Sequence, residues 1–232
     1  MRYILRNKKK VCFIILLLCL TVFAFYYIYG HSVNHDALMI KQKYEFYNNK
    51  ETIEGSLYPT VTLDSNADII NVTLKTALEK LKSDSGILFI GEPTDFKSRE
   101  ALPILMDAID NQGKELLYLD GTHIRDEYIV KKKEVKKEQG ASKNYYELLE
   151  LLNEYLDDYI VYDEEGNSYE VGEKRLEYPI AIFFQGGEIK NVHIGTTNKD
   201  TWDNKEQDKL LEIYNEYIEK MGSNVCAVDT NC

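Results

Sequence analysis

From residue 69 onward, short apolar runs alternate with stretches in which apolar residues recur every three or four positions. The runs predict β-strands, and the recurrence predicts amphipathic α-helices. Strands are predicted at 69–72, 87–90, 115–119, 160–162, 168–171, 180–184 and 188–194, and helices at 74–82, 97–112, 142–158 and 205–221. Glycine-containing turns at 165–167 and 185–187 predict two hairpins. The order of elements predicts an α/β domain in which strand, helix and strand first form a right-handed parallel unit.

Two stretches of the chain lack such a pattern. Residues 31–60 are polar and show no sustained period, so we interpret residues 30–67 as a stalk. Residues 121–140 are highly charged and contain a lysine run. Glutamates intersperse the lysines, which favours a solvated helix face over a docking patch. The run consists of Lys131, Lys132, Lys133, Lys136 and Lys137.

The N-terminal residues predict a membrane anchor. Residues 11–29 are uncharged and almost wholly apolar, which is long enough to cross a bilayer of roughly 30 Å. The basic residues before them predict a cytoplasmic segment at 1–10 and place the remainder of the chain outside the cell. A cleaved signal peptide is an alternative, but the segment offers no small-residue cleavage site. Lipidation at Cys19 is a second alternative, disfavoured by the bulky residues before it.

The charge of the chain excludes one class of partner. The formal net charge is -11, and residues 31–232 hold 23 basic against 39 acidic residues, a balance of -16. Such a surface repels phosphate backbones, so we expect no nucleic-acid partner. The four histidines are scattered and no P-loop or metal-ligand spacing is present, so we expect no cofactor and no metal.

The most informative segment is GILFIGEPTDFKSREALP, residues 86–103, in which a buried strand leads through a glycine–proline turn into a helix. It resembles the G-x-P-x-C-x-x-C-R-x-x-x-P block of membrane-tethered thioredoxin-like proteins of Gram-positive bacteria. The segment GEKRLEYPIAIFFQGGEI and a C-terminal cysteine pair are also similar to that family. The resemblance covers about residues 68–232.

The resemblance implies a thioredoxin-like fold at 68–222 with a helix-plus-hairpin insertion, preceded by a single transmembrane helix. It places Pro179 at the family's cis-proline, which faces the active-site turn, with Tyr178 before it. Asp95 and Ser98 replace the two cysteines, around Phe96 and Lys97. A carboxylate and a hydroxyl cannot exchange with a disulfide, so we expect no catalytic residue in this turn.

Asp95 has a structural interpretation. A helix N-terminus stabilises negative charge, and a carboxylate there accepts hydrogen bonds from free N–H groups of the first turn. We therefore favour a helix cap over a catalytic aspartate.

Two hypotheses about function follow. The first is a binding module outside the cell that holds a peptide or partner protein at Asp95–Ser98 and Pro179. The second is an oxidoreductase that uses Cys226 and Cys232 in the tail at 223–232. An oxidising compartment favours a structural disulfide between these two cysteines. A third, purely structural role in a membrane assembly is not distinguished from the first.

Overall fold

The computed structural model describes residues 15–23, 34–110, 112–195 and 203–222. Residues 15–23 are helical, and within the described ranges no helix combines the length and apolar character that a membrane span requires. The remainder of the predicted span at 11–29 lies outside the described residues, as do the segment 1–10 and the tail with Cys226 and Cys232.

The described part of the chain is a mixed α/β structure. Its helices are α1 (His35–Glu45), α2 (Leu74–Ser83), α3 (Phe96–Asp110), α4 (Lys143–Leu151) and α5 (Asn204–Gly222), with a short 3-10 turn at Asn153–Tyr155. Its strands are β1 (Ile69–Asn71), β2 (Gly86–Gly91), β3 (Leu116–Asp120), β4 (Glu127–Lys131), β5 (Glu134–Gln139), β6 (Asp158–Tyr162), β7 (Ser168–Lys174), β8 (Ile180–Gln185) and β9 (Glu188–Ile194).

A five-stranded mixed sheet in the order β1-β3-β2-β8-β9 organises the fold. Strands β1, β3 and β2 are parallel, whereas β8 and β9 are antiparallel to their neighbours. The central strand β2 is apolar throughout because both sheet faces are covered. One face packs against α3 and α5, with Phe89 in that core, and the other packs against α2 and α4, with Leu88 and Ile90.

Residues 34–63 are part of the domain, so the predicted stalk at 30–67 is wrong over this stretch. Helix α1 buries Ala37, Ile40 and Tyr44 in the same core as α3 and α5. Asn34 caps the helix by accepting from the main-chain N–H groups of residues 36 and 37, and its amide donates to the carbonyls of Ala67 and Ile69, the second of which is the first residue of β1. The segment escaped prediction because the apolar residues of α1 are mostly consecutive, at 37–40, and do not recur every three or four positions.

Helix α1 also occupies an edge of the sheet. Strand β1 is the outermost strand on that side, and its Asn71 N–H donates to the Asp36 carboxylate at 2.9 Å. A main-chain donor that would otherwise face solvent is thereby satisfied by a side chain of α1.

The lysine run lies in a β-hairpin, so the predicted helix face at 121–140 is wrong. Strands β4 and β5 pair antiparallel, and Lys132 and Lys133 form the turn with φ of 54° and 64°. Left-handed conformations at both central positions are what a two-residue hairpin turn of type I′ requires. Asn-Gly or Gly-Gly pairs usually supply these conformations. The two lysines therefore did not indicate a turn in the sequence.

The helix predicted at 142–158 is shorter than expected. Helix α4 ends at Leu151, and a second hairpin, β6–β7, follows the 3-10 turn. In the sequence, apolar residues continue to recur beyond the end of the helix because Leu152 and Leu156 are buried in the same core as α4.

A buried arginine joins the N-terminal segment to helix α3. Arg99 is fully buried, and its guanidinium donates to the carbonyls of Tyr44 (2.7 Å), Pro59 (2.8 Å) and Pro93 (2.9 Å). A further bond of 2.8 Å reaches the Asn48 side-chain oxygen. Burial lowers the pKa of Arg99 from its ordinary value, although nearby tyrosines oppose the shift. Neutral oxygens satisfy this cation, so three separate chain segments are held at one point.

We predict that Arg99→Gln destabilises the protein by ~3 kcal/mol or more, because it removes a buried guanidinium that donates to three carbonyls and to the Asn48 side chain. Urea unfolding of the full-length chain measures the loss in the free energy of unfolding. Hydrogen exchange locates the destabilised region, because the amides between residues 44 and 61 should exchange faster in the variant. Lys97→Gln, two residues away on a more exposed side chain, is the matched control and should change stability by less than ~0.5 kcal/mol. Equal stability of the two variants would contradict the prediction.

Candidate functional site

The turn between β2 and α3 lies at the carboxyl end of the central strand. The chain passes from Gly91 through Pro93 into α3, whose first residue is Phe96. Gly91 permits this path because a Cβ there would lie 2.8 Å from the Ser98 hydroxyl oxygen and 2.6 Å from the Phe89 ring. The start of the helix therefore packs directly against the end of the strand.

Asp95 and Ser98 bond to each other. The Asp95 Oδ2 atom accepts from the Ser98 N–H and from the Ser98 hydroxyl, both at 2.6 Å. The Ser98 hydroxyl oxygen in turn accepts from the Glu92 N–H at 3.2 Å. Asp95 is thus the side-chain cap of α3, which supports the structural interpretation drawn from the sequence. Ser98 is fully buried, so its hydroxyl faces no substrate.

Burial raises the pKa of Asp95 above its ordinary value, and the hydrogen bonds from Ser98 only partly oppose this effect. Burial also raises the pKa of Glu92, and the positive charge of Arg125 only partly opposes this effect. Both carboxyl groups are therefore held in an environment that disfavours their ionised form.

The two middle residues of the turn differ in their surroundings. The Phe96 ring packs on Tyr58 with the ring centroids 5.3 Å apart, at the end of a row of aromatic rings. Lys97 is half-buried and makes no ion pair among the residues that the structure describes. Phe96 and Lys97 are thus both partly exposed, and Thr94 before them is exposed.

Pro179 lies beside the turn-bearing strand. The Tyr178–Pro179 peptide bond is cis, as the resemblance implies for this position. The next residue, Ile180, pairs with Ile90 at the end of β2. The Tyr178 hydroxyl donates to the Gly121 carbonyl at 3.0 Å, and the Gly121 N–H donates to the Gly91 carbonyl at 2.9 Å. These contacts bring the segment around Pro179 and the start of the turn to the same end of the sheet.

Two ion pairs flank the turn. Arg125 donates to Glu92 at 3.2 Å and to the Leu176 carbonyl at 3.3 Å, and its guanidinium lies 4.2 Å from the Tyr178 ring centroid. On the α1 side, Lys43 donates to Asp120 at 2.7 Å. Burial raises the pKa of Asp120, but hydrogen bonds from Lys43 and Thr122 outweigh it and hold the pKa below its ordinary value.

A cleft of about 720 Å³ lies between α1, the turn and the loop after β3. Its volume falls within the range of ~300–1,000 Å³ that is typical of ligand sites. The residues that line it are Met39, Gln42, Lys43, Phe46, Tyr47, Pro93, Thr94, Asp120, Thr122 and His123. No sequence pattern predicts the cleft, because one wall belongs to the segment interpreted as a stalk.

The carboxylates around the turn are engaged in contacts within the protein. Asp95 is occupied as a cap, and Glu92 and Asp120 are each paired with a cation. Within the described ranges, no three side chains of histidine, cysteine, aspartate or glutamate converge on a point that could hold a metal ion.

Sequence analysis missed several residues around the turn. Glu92 and Asp120 each stand at or just after the carboxyl end of a parallel strand, and such ends meet at one edge of a sheet. That signal could have placed them together. Lys43 and Arg125 had no comparable signal, because tertiary packing brings them in from the N-terminal segment and the inserted region.

Comparison of the chain with protein-family models and with curated proteins finds no match.

We predict that Asp95→Asn preserves the cap, because an amide oxygen accepts the same hydrogen bonds, and that it reduces the dependence of stability on pH. A carboxyl group with a raised folded pKa stabilises the protein fully below its unfolded pKa, and this contribution is lost as pH rises through the folded pKa. The stability of Asp95→Asn relative to the original protein should therefore increase from pH 4 to pH 7.5. Urea unfolding at several pH values checks this.

The companion variant is Asp95→Ala, which removes the cap altogether. It should be less stable than Asp95→Asn by ~1 kcal/mol at every pH. Identical pH profiles for the original protein and Asp95→Asn would rule out the proposed environment of this carboxyl group.

Proposed function

We propose that this protein is a redox-inactive thioredoxin-like module that binds an extended peptide or a partner protein at Asp95–Ser98 and Tyr178–Pro179. The observation on which the proposal rests is the Asp95–Ser98 hydrogen bond at the end of the central strand. Both positions of the implied cysteine pair are used to cap the helix, while the turn and the neighbouring Pro179 segment retain a defined shape.

The strand order supports the thioredoxin-like part of this proposal. Parallel β1, β3 and β2 are followed by antiparallel β8 and β9, with α3 beginning directly after the turn at the end of β2. Helix α4 and the two small hairpins lie between β3 and β8, at the place of the expected helix-plus-hairpin insertion. The segment 34–63 and the hairpin β4–β5 are additions that the resemblance did not imply.

Unpaired main-chain groups support the peptide-binding part. The Tyr178 N–H and C=O have no main-chain partner among the described residues, whereas the Pro179 carbonyl accepts from Gly195. Native structures leave few such groups unsatisfied. An extended peptide that runs alongside this segment would supply both a donor and an acceptor, as strand addition does.

We further propose that the module is held at the outer face of the cell membrane by an N-terminal helix. The support is the apolar segment 11–29 with basic residues before it. Residues 30–33 alone separate this segment from Asn34, where the folded domain begins. The binding site is thus joined to the proposed anchor by a short connection.

A double substitution tests the fold and the loss of chemistry together. In Asp95→Cys/Ser98→Cys, the two sulfurs would occupy a helix N-terminus, which favours the thiolate. We expect this variant to reduce insulin disulfides in a dithiothreitol-coupled assay, while the original protein shows no activity above background. The single variant Asp95→Cys, which lacks the resolving sulfur, is the matched control.

Two outcomes of this assay would overturn the proposal. An inactive double variant that remains folded would argue against the thioredoxin-like geometry of the turn. Activity in the original protein that Cys226→Ser abolishes would instead establish the oxidoreductase hypothesis, with the C-terminal cysteines as the reactive pair.

Photo-crosslinking tests the binding role. With benzoylphenylalanine at position 97, full-length protein in intact cells should capture a specific set of adducts, and Pro179→Ala should reduce their yield by about fivefold, the equivalent of ~1 kcal/mol. The same crosslinker at position 53, a fully exposed side chain, is the control. Adducts that are identical at the two positions, or unaffected by Pro179→Ala, would count against the site.

A further inference from the structure

The hairpin β4–β5 is held to the rest of the domain with little apolar burial. None of the residues that the structure describes in β4 and β5 is fully buried. A ring contact with the second hairpin joins Tyr128 to Tyr159, with the centroids 5.6 Å apart. Elements with few buried apolar contacts open at a lower free energy than the core. The position of this hairpin therefore depends on its polar contacts.

Those polar contacts meet at one lysine. The ammonium group of Lys137 in β5 donates to the Tyr146 hydroxyl at 2.9 Å. Carboxylate oxygens of Asp126 and Glu173 each lie 3.6 Å from it. The same ammonium group lies over the rings of Tyr128 and Tyr146, at 4.8 and 5.0 Å from their centroids. These five residues form a docking cluster, and they come from both hairpins, from α4 and from the position just before β4.

Asp126 is the fully buried member of the docking cluster. Its Oδ2 atom accepts from the Tyr146 hydroxyl at 3.2 Å, whereas its Oδ1 atom accepts from no residue that the structure describes. A buried carboxylate oxygen without a donor is costly, because the ionised group has lost its water. Protonation removes that cost, since a carboxylic acid carries a donor of its own and no charge.

The groups that face Asp126 come from α4, β5 and β7. Burial raises the pKa of Asp126, and Glu173 of β7 raises it further, because like charges repel. The Tyr146 hydroxyl and the Lys137 ammonium group only partly oppose this effect. Burial and, to a smaller extent, the charge of Asp126 raise the pKa of Tyr145 in α4, so that phenol stays neutral. The surroundings of Asp126 in the docked hairpin therefore favour its protonated form.

The residue before Asp126 connects the docking cluster with the proposed binding site. Arg125 donates to Glu92 in the turn at 3.2 Å, and its guanidinium lies 4.2 Å from the Tyr178 ring centroid. Because Arg125 and Asp126 are adjacent, one short piece of main chain positions both side chains. The docked hairpin thus holds Arg125 between the turn and the segment that contains the cis peptide bond.

We propose that the hairpin β4–β5 is a pH-sensitive latch on the proposed binding site, docked while Asp126 is protonated and loosened when Asp126 releases its proton to solvent. This inference rests on the proposed binding function and adds its regulation. A group that binds its proton more tightly in the docked state stabilises docking at low pH, and this contribution is lost as pH rises through its docked-state pKa. The site is therefore most ordered in acid surroundings.

Hydrogen exchange followed by mass spectrometry measures the docking. The full-length chain in lipid nanodiscs is compared at pH 5 and pH 8, and each exchange rate is divided by the intrinsic rate of an unfolded peptide at that pH. We expect the opening constant of amides 127–139 to be at least about fivefold larger at pH 8, since each unit of pKa difference between docked and open states amounts to about tenfold. Amides of β2 serve as the reference for the folded core.

Two carboxyl variants identify the group that titrates. Asp126→Asn, whose amide replaces the protonated acid, should keep the small opening constant of pH 5 at both pH values. Glu127→Gln, at the neighbouring exposed carboxyl group, is the matched control and should open like the original protein.

Lys137→Gln tests the docking cluster from the opposite direction. It leaves the ionised Asp126 and Glu173 without their shared cation, so the hairpin should open about fivefold more than in the original protein at pH 8. The effect should be smaller at pH 5, where Asp126 is protonated. Lys136→Gln, at an exposed lysine on the other face of β5, is its control and should show no such difference.

The crosslinking yield at position 97 reports whether the latch acts on the site. In intact cells at pH 8, Asp126→Asn should give about threefold more adduct than the original protein, the equivalent of a modest gain in affinity. At pH 5.5 the two proteins should give equal yields. Comparing the two proteins at one pH removes any effect of pH on the partner.

The outcomes separate the latch from the proposed function. Hairpin opening that is independent of pH, or that keeps its pH dependence in Asp126→Asn, overturns the latch. Equal crosslinking yields from Asp126→Asn and the original protein at pH 8 overturn its coupling to the site. If no specific adducts form at position 97 at either pH, the proposed function fails, while hydrogen exchange still decides whether Asp126 controls the hairpin.

Discussion

The buried guanidinium of Arg99 is the interaction on which the arrangement of the site depends. A fully buried cation without a carboxylate is rare, because leaving water is costly unless every donor finds an acceptor. Here carbonyls from α1, from residue 59 and from the turn supply the acceptors. The cation can be satisfied only when these three segments are all in place. Folding of the N-terminal segment and shaping of the turn are therefore coupled.

That coupling explains why the turn keeps its shape without cysteines. Arg99 fixes the Pro93 carbonyl by a hydrogen bond, and Asp95 fixes the first turn of α3 by another. Both contacts are made by polar groups within the chain. In the proposed binding role, a turn whose polar groups are satisfied within the chain presents one geometry to a partner, which lowers the ordering cost of binding.

Much of the central fold was predictable. The apolar strands β2, β3 and β8 and the helices α2, α3 and α5 each have a period or composition that local residues reveal. The helix cap of Asp95 was also predictable, because capping depends on residues three positions apart.

The failures share one physical cause. The apolar residues of helix α1 are mostly consecutive rather than spaced at a helical period, and the turn at Lys132–Lys133 lacks glycine, so tertiary contacts rather than local preferences decide both. The cleft depends on α1 and was missed for the same reason. Arg99 was noted only as part of a motif, since no local pattern shows that an arginine will be buried.

The contact between α1 and β1 has a consequence for the way copies of the protein meet. An exposed sheet edge offers unpaired main-chain groups to the edge of another molecule, which is a route to aggregation. Asp36 occupies such a group on β1. At the opposite edge, β9 has a register shift in its pairing with β8 and bears the charged pair Glu188 and Lys190. Both edges are thereby made poor templates for strand pairing with another molecule.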